Sequence, residues 1–223
     1  MKKSFIENSN LIQAQYYLNA VEQKLLYKIF EEIQKSSYTT NNISINHQIF
    51  FKDFKSVIGT NMSKKEFITL IENLQNRRIS IINGNNFIKT QWYKIYEQLN
   101  SSNMQLELDL DVFEHIQFLY KDFMTIKLET LYSFKSFYSM RIYELIKQSY
   151  SVKKEIIYTL DYLKQILGIE NNLGYDNFTN FDKNVISNAI QEINAKSEIL
   201  VEYEKIKEGR IIKSILFKII HLD

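Results

Sequence analysis

The apolar positions Val21, Leu25, Leu26, Ile29, Phe30 and Ile33 fall three and four residues apart. This spacing predicts an amphipathic helix over residues 19–35, with Asn19 as N-cap and Gln23 in the first turn. A shorter polar-capped helix is expected before it, over 10–15. After a loop at 36–42, Ile43-Ser44-Ile45 reads as a short strand. Residues 50–58 read as a helix stopped by Gly59. Asn61 or Ser63 would cap the next helix, which runs to Asn76 with Phe67, Ile68, Ile71 and Leu74 on its apolar side. The pattern then changes to period two. Residues 79–82 and 87–96 read as a hairpin around Asn83-Gly84-Asn85-Asn86, and 105–110 as a third strand of the same sheet. A segment at 111–132 follows, with a short helix expected at 111–119.

Beyond it the plan recurs. A helix is expected over 134–149, a strand over 156–159, and a helix over 160–167 ended by Gly168. After a loop at 170–177, a helix capped by Thr179 or Asn180 runs to about Ala195. A hairpin of 199–206 and 211–219 then closes around Lys207-Glu208-Gly209-Arg210. The motifs match pairwise. Leu25-Leu26-Tyr27-Lys28-Ile29-Phe30-Glu31-Glu32-Ile33 parallels Met140-Arg141-Ile142-Tyr143-Glu144-Leu145-Ile146, and Phe51-Lys52-Asp53-Phe54-Lys55-Ser56-Val57-Ile58-Gly59 parallels Leu160-Asp161-Tyr162-Leu163-Lys164-Gln165-Ile166-Leu167-Gly168. Helix, short helix ending at glycine, second helix and hairpin make a winged helix. The chain is therefore expected to be α+β, two tandem winged-helix domains, at 1–130 and 131–223.

Composition narrows the chemistry. The 223 residues include no cysteine, so disulfides and thiolate-bound metals are excluded. His47, His115 and His221 are far apart in sequence. The five glycines form no phosphate loop or dinucleotide fingerprint. Without a His pair, a nicking nuclease is not expected, and neither is any other enzymatic activity or cofactor. Glu107, Asp109 and Asp111 alternate with leucines, with Glu114 three residues on, and the run reads as an edge or outer-face strand rather than a cation site. No apolar run approaches a membrane span, and a cytoplasmic location is expected. Net charge is only +2, with fifteen Lys and Arg to fourteen Asp and Glu up to residue 130 and thirteen to twelve beyond it. DNA binding would therefore require charge sorted onto one face.

Three blocks carry a family resemblance: Asn10-Leu11-Ile12-x-Ala14 with Leu18-Asn19-x-x-Glu22-x-Lys24-Leu25-Leu26; Lys135-Ser136-x-Tyr138-Ser139-x-Arg141-Ile142-Tyr143-Glu144-Leu145; and Tyr175-x-x-Phe178-x-x-Phe181 leading to Ile193-Asn194 and Tyr203-x-x-x-Lys207-x-Gly209-Arg210. In this order they resemble the initiator proteins of iteron-containing plasmids, Rep type 3. The resemblance implies two winged-helix domains, binding to repeated origin DNA, origin opening and recruitment of host replication proteins. It also implies a homodimeric form that is inactive at the repeats. The family's reading helix opens with a denser arginine cluster, where this chain has Asp182-Lys183-Asn184.

The candidate DNA-binding residues follow. On the helix over 180–195, Asn180, Lys183, Asn184 and Ser187 lie opposite the apolar stripe, where Lys suits guanine or phosphate and Asn suits adenine. In the first domain, Lys64, Lys65 and Thr69 stand on the early turns of the equivalent helix, and Arg77 and Arg78 follow its end. Lys207, Arg210 and Lys213 make a basic hairpin tip suited to the backbone or the minor groove. Each set also reads as ordinary solvated surface. Besides an initiator, the pattern fits a winged-helix transcriptional repressor, including one repressing its own gene as a dimer, or a protein-interaction module without DNA. A dimer interface is sought on the first domain's sheet, where Trp92, Tyr93, Ile95 and Tyr96 are bulky for an open face. Burial within the chain is the alternative.

Overall fold

The computed structural model describes residues 14–40, 46–58, 62–83, 86–100, 103–108, 112, 126–150 and 154–221. The chain divides into two units. One comprises residues 1–14 and 18–124; the other comprises 15–17 and 125–223. The division at Met124 and Thr125 falls before the expected 130/131, and three N-terminal residues belong with the second unit.

The first unit begins with α1 (Ala20–Thr40), five residues longer at its C-terminal end than its apolar period suggested. Its start is a reciprocal cap. Asn19 Oδ1 accepts from the N–H groups of Val21 and Glu22, each at 2.9 Å, and the Glu22 carboxylate accepts from Asn19 N–H at 2.8 Å. The returning residue is thus Glu22, not Gln23. β1 (Asn46–Phe50), α2 (Phe51–Ile58) and α3 (Lys64–Asn76) follow. Ser63, not Asn61, caps α3 in a complete capping box with Glu66. Phe67 seals α3 onto α2 through Phe51 and Phe54, with ring centroids 5.2 and 5.4 Å apart.

Four strands complete this unit: β2 (Arg78–Asn83), β3 (Asn86–Gln91), β4 (Tyr93–Asn100) and β5 (Asn103–Leu108). The expected strand over 87–96 is two strands, because the backbone bends at Trp92. Among the described residues β2 and β3 pair only with each other, while β5 lies between β1 and β4 in a separate antiparallel sheet. The third strand therefore does not extend the first hairpin. Trp92 and Tyr93 are fully buried. The Trp92 ring lies 6.2 Å from Phe30, and the Tyr93 hydroxyl donates to the Ile71 carbonyl at 2.9 Å. Both belong to the core on α1 and α3, which removes them from any dimer interface; nothing is described of the Ile95 and Tyr96 side chains.

The second unit runs α4 (Leu128–Ser133), α5 (Phe137–Tyr150), β6 (Glu155–Thr159), α6 (Leu160–Ile166), then a helix α7 over 178–196, and the hairpin β7 (Ile199–Glu208) and β8 (Ile211–His221). Its sheet order, β6-β8-β7, matches β1-β5-β4 of the first unit. Each sheet places its last strand in the middle. The two units therefore share one plan, and the first carries β2–β3 as an added hairpin between its second short helix and its sheet.

Gln15–Tyr17 pack as an extended segment, so the helix expected at 10–15 does not include its described end; residues 10–13 lie outside the described set. Tyr16 is buried against Phe137, and the Arg141 guanidinium stands 4.2 Å over its ring. Arg141 is itself buried and pairs with Glu144 at 2.6 Å. Gly168 ends the turn after α6 at φ 64°, as the sequence predicted. The strand expected at 43–45, the turn at Gly84 and Asn85, and most of the helix at 111–119 fall outside the described residues.

Candidate nucleic-acid interface

The helix α7 is built by a strict division of faces. Phe181, Val185, Ile186, Ala189, Ile190 and Ile193 are buried. Asn180, Lys183, Asn184, Asn188 and Gln191 are exposed, and Ser187 is half-buried. Its N-cap is Asn177, whose side-chain Oδ1 accepts from the N–H groups of Thr179 and Asn180, so the helix starts before the expected Thr179 or Asn180. Phe178–Phe181 and Asn188–Lys196 are α-helical, but Asp182–Ser187 between them is π-helical. A π turn holds more residues than an α turn and shifts every side chain beyond it around the axis. Here it carries Lys183, Asn184 and Ser187, and it turns both Val185 and Ile186 into the core.

The hairpin beside α7 is long and tightly turned. β7 ends at Glu208 and β8 begins at Ile211, so only Gly209 and Arg210 make the turn, with Gly209 at φ 63°. Lys207, Arg210 and Lys213 are exposed at this tip. The pairing shifts register after Ile206, which leaves Lys213 without a cross-strand partner position and re-aims the tip. Part of the acidic charge on β7 is offset, because Glu204 pairs with Lys218.

The helix and the hairpin are joined through Asp182. One carboxylate oxygen accepts from the Tyr203 hydroxyl at 2.9 Å and the other from Lys205 Nζ at 2.6 Å. Lys205 also stands 5.2 Å over the Phe178 ring. Burial, followed by the hydrogen bond and charge of Asp182, pushes the Tyr203 hydroxyl up to about 12. This connection was missed in the sequence, where Asp182 read as a departure from a basic pattern. The available signal was Tyr203 and Lys205 at period two on the same strand, but nothing local shows which helix residue they meet.

In the first unit, Lys64, Lys65 and Thr69 are exposed along α3, and Arg78 is exposed at the start of β2. Arg77 differs. Its Nε and Nη2 both approach one oxygen of the buried Glu22 carboxylate, at 3.1 and 2.9 Å. Glu22 thus caps α1 and holds the end of α3 with the same carboxylate, and Arg77 is tied to the fold of its own unit.

Comparison with known proteins bears on what such a molecule is. Residues 4–147 match the family model described as initiator replication protein, WH1, and residues 159–219 match the one described as initiator Rep protein, WH2. The chain belongs to this initiator family. The first match ends within α5, past the division between the units, so its C-terminal part covers helices that fold with the second unit. A replication initiation protein of Escherichia coli is 29% identical over 133 residues, 58% of this chain and 40% of that protein. The chain thus aligns with well under half the length of that relative. Among solved structures, the Pi initiator protein in complex with iteron DNA superposes with a TM-score of 0.60 at 19% identity, covering 97% of this chain and 99% of that one. Domains 2 and 3 of RctB superpose with a TM-score of 0.56 at 12% identity, covering 91% and 82%. At these identities the likeness establishes the fold: two winged-helix domains. Among the described residues no helix is long and apolar enough to cross a membrane.

Proposed function

We propose that this initiator binds directly repeated DNA sites at a plasmid origin, opens the origin and recruits host replication proteins there, without enzymatic activity of its own. In this reading α7 enters a major groove with Asn180, Lys183, Asn184 and Ser187 toward the base edges. The tip with Lys207, Arg210 and Lys213 rests on the adjacent backbone. In the first unit Lys64, Lys65, Thr69 and Arg78 lie along phosphate, and Arg77 supports them through Glu22. The observation that carries the reading is the polar face of α7, exposed over several turns while its opposite stripe is buried and a cationic hairpin is tied to its flank. Family membership and the iteron-bound state of the Pi initiator support the same assignment.

Selection from a randomised duplex pool tests it. The protein should enrich one motif that recurs as direct repeats beside its own gene, spaced by about twenty base pairs or two helical turns. Failure to enrich any motif would contradict it.

A further inference from the structure

Asp182 stands inside the exposed stretch that the proposed function assigns to DNA, next to Lys183. An unpaired carboxylate there would repel phosphate. It is not unpaired: both oxygens are taken by residues of β7, the Tyr203 hydroxyl and the Lys205 ammonium. Asp182 is largely shielded, with its side chain 17% exposed against 40% for Lys205. The network thus does two things. It fixes the segment bearing Lys183 and Asn184 against the strand that leads to the hairpin tip. It also pairs the Lys205 ammonium with a carboxylate, which offsets the charge that phosphate would otherwise meet.

We propose that Asp182 is a specificity-determining residue of this initiator: it raises the preference for the cognate site by holding α7 and the hairpin in one geometry and by withholding Lys205 from indiscriminate phosphate contact. The proposal rests on the DNA-binding reading above. Charge and geometry act in opposite directions on the two kinds of binding, so they can be separated. Releasing Lys205 gives any duplex about one more phosphate contact, which steepens the dependence of log affinity on log salt by about 0.9. Loosening the helix against the hairpin weakens only the site that requires both at once.

The test uses the full chain and two labelled duplexes, one enriched from the randomised pool on the wild type and one scrambled to the same composition. Affinities are measured by anisotropy between about 50 and 200 mM salt. For Asp182→Ala we expect tighter binding to the scrambled duplex, a steeper salt slope and a specific-to-nonspecific ratio lowered about tenfold. The double variant Asp182→Ala, Lys205→Ala should return the slope to the wild-type value while the ratio stays low. Tyr203→Phe changes no charge and keeps the ring, so it should lower the ratio at an unchanged slope, and it secures the test should Asp182→Ala fold poorly in thermal melts. Equal gains of Asp182→Ala on both duplexes, or an unchanged ratio in both Asp182→Ala and Tyr203→Phe, would overturn the proposal. A wild type with no preference between the duplexes would instead overturn the DNA reading beneath it, and the proposal with it.

Discussion

Gly168 and Gly209 both sit in the left-handed region, at φ 64° and 63°, but their surroundings differ. A Cβ on Gly209 would meet nothing within 4 Å, whereas one on Gly168 would lie 2.7 Å from the Tyr16 carbonyl carbon and 2.9 Å from Tyr17 N. Backbone cannot swing aside as a side-chain tip can. Gly209→Ala should therefore cost only the conformational term, about 1–2 kcal/mol. Gly168→Ala should cost more, about 3 kcal/mol in total, because it also displaces the Gln15–Tyr17 segment. Denaturant melts of the two variants check this, and equal losses would count against the packing described at Gly168. The sequence marked both glycines as helix stop and turn, which is a local property. It did not reveal the close approach at Gly168, because Tyr16 arrives from the far end of the chain. The same limit applies to the family signature: Glu22, Arg141, Tyr143 and Glu144 are buried. These residues cap, pair and fill the fold, so this part of the family pattern was in physical terms a pattern of folding, whereas Lys207 and Arg210 of the third block are exposed at the hairpin tip.

At the scale of elements, helix ends are held by carboxylates that come from elsewhere. Glu192 on α7 accepts from Lys135 N–H at 2.7 Å and Ser136 N–H at 3.1 Å, where α5 begins, and from Lys196 Nζ at 2.7 Å. Burial alone would raise its pKa; the hydrogen bonds from Lys196, Lys135 and Ser136 outweigh it and leave the carboxyl below its ordinary 4.5. A carboxyl lowered on folding stabilises above its unfolded pKa, and that contribution is lost as pH falls through the folded value. Glu192→Gln should therefore melt earlier at neutral pH, by about 1–3 kcal/mol. The gap to the wild type should close as pH falls below about 4.5. A gap independent of pH would assign the loss to packing. The helices and most strands were legible because periods of 3.6 and 2 report directly which face is buried. The π segment of α7 and the bend at Trp92 were not legible. One extra residue in a turn barely disturbs a periodic pattern, and a buried tryptophan between strands reads like any other strand aromatic.

For the whole molecule, the tandem plan was readable because two copies of one unit repeat the same order of stops, caps and apolar faces. The hairpin β2–β3 was readable as well, but its separation from the sheet was not, since pairing across a sheet is long-range and β5 finds β1 and β4 rather than β3. The central claim is that α7 reads bases. Its most direct test is the affinity of Lys183→Ala and Asn184→Ala for the enriched duplex and for the scrambled one. The account predicts that each loses about 1–3 kcal/mol on the enriched duplex and that Asn184→Ala loses almost nothing on the scrambled one. Equal binding of both variants and the wild type to the enriched duplex would contradict it.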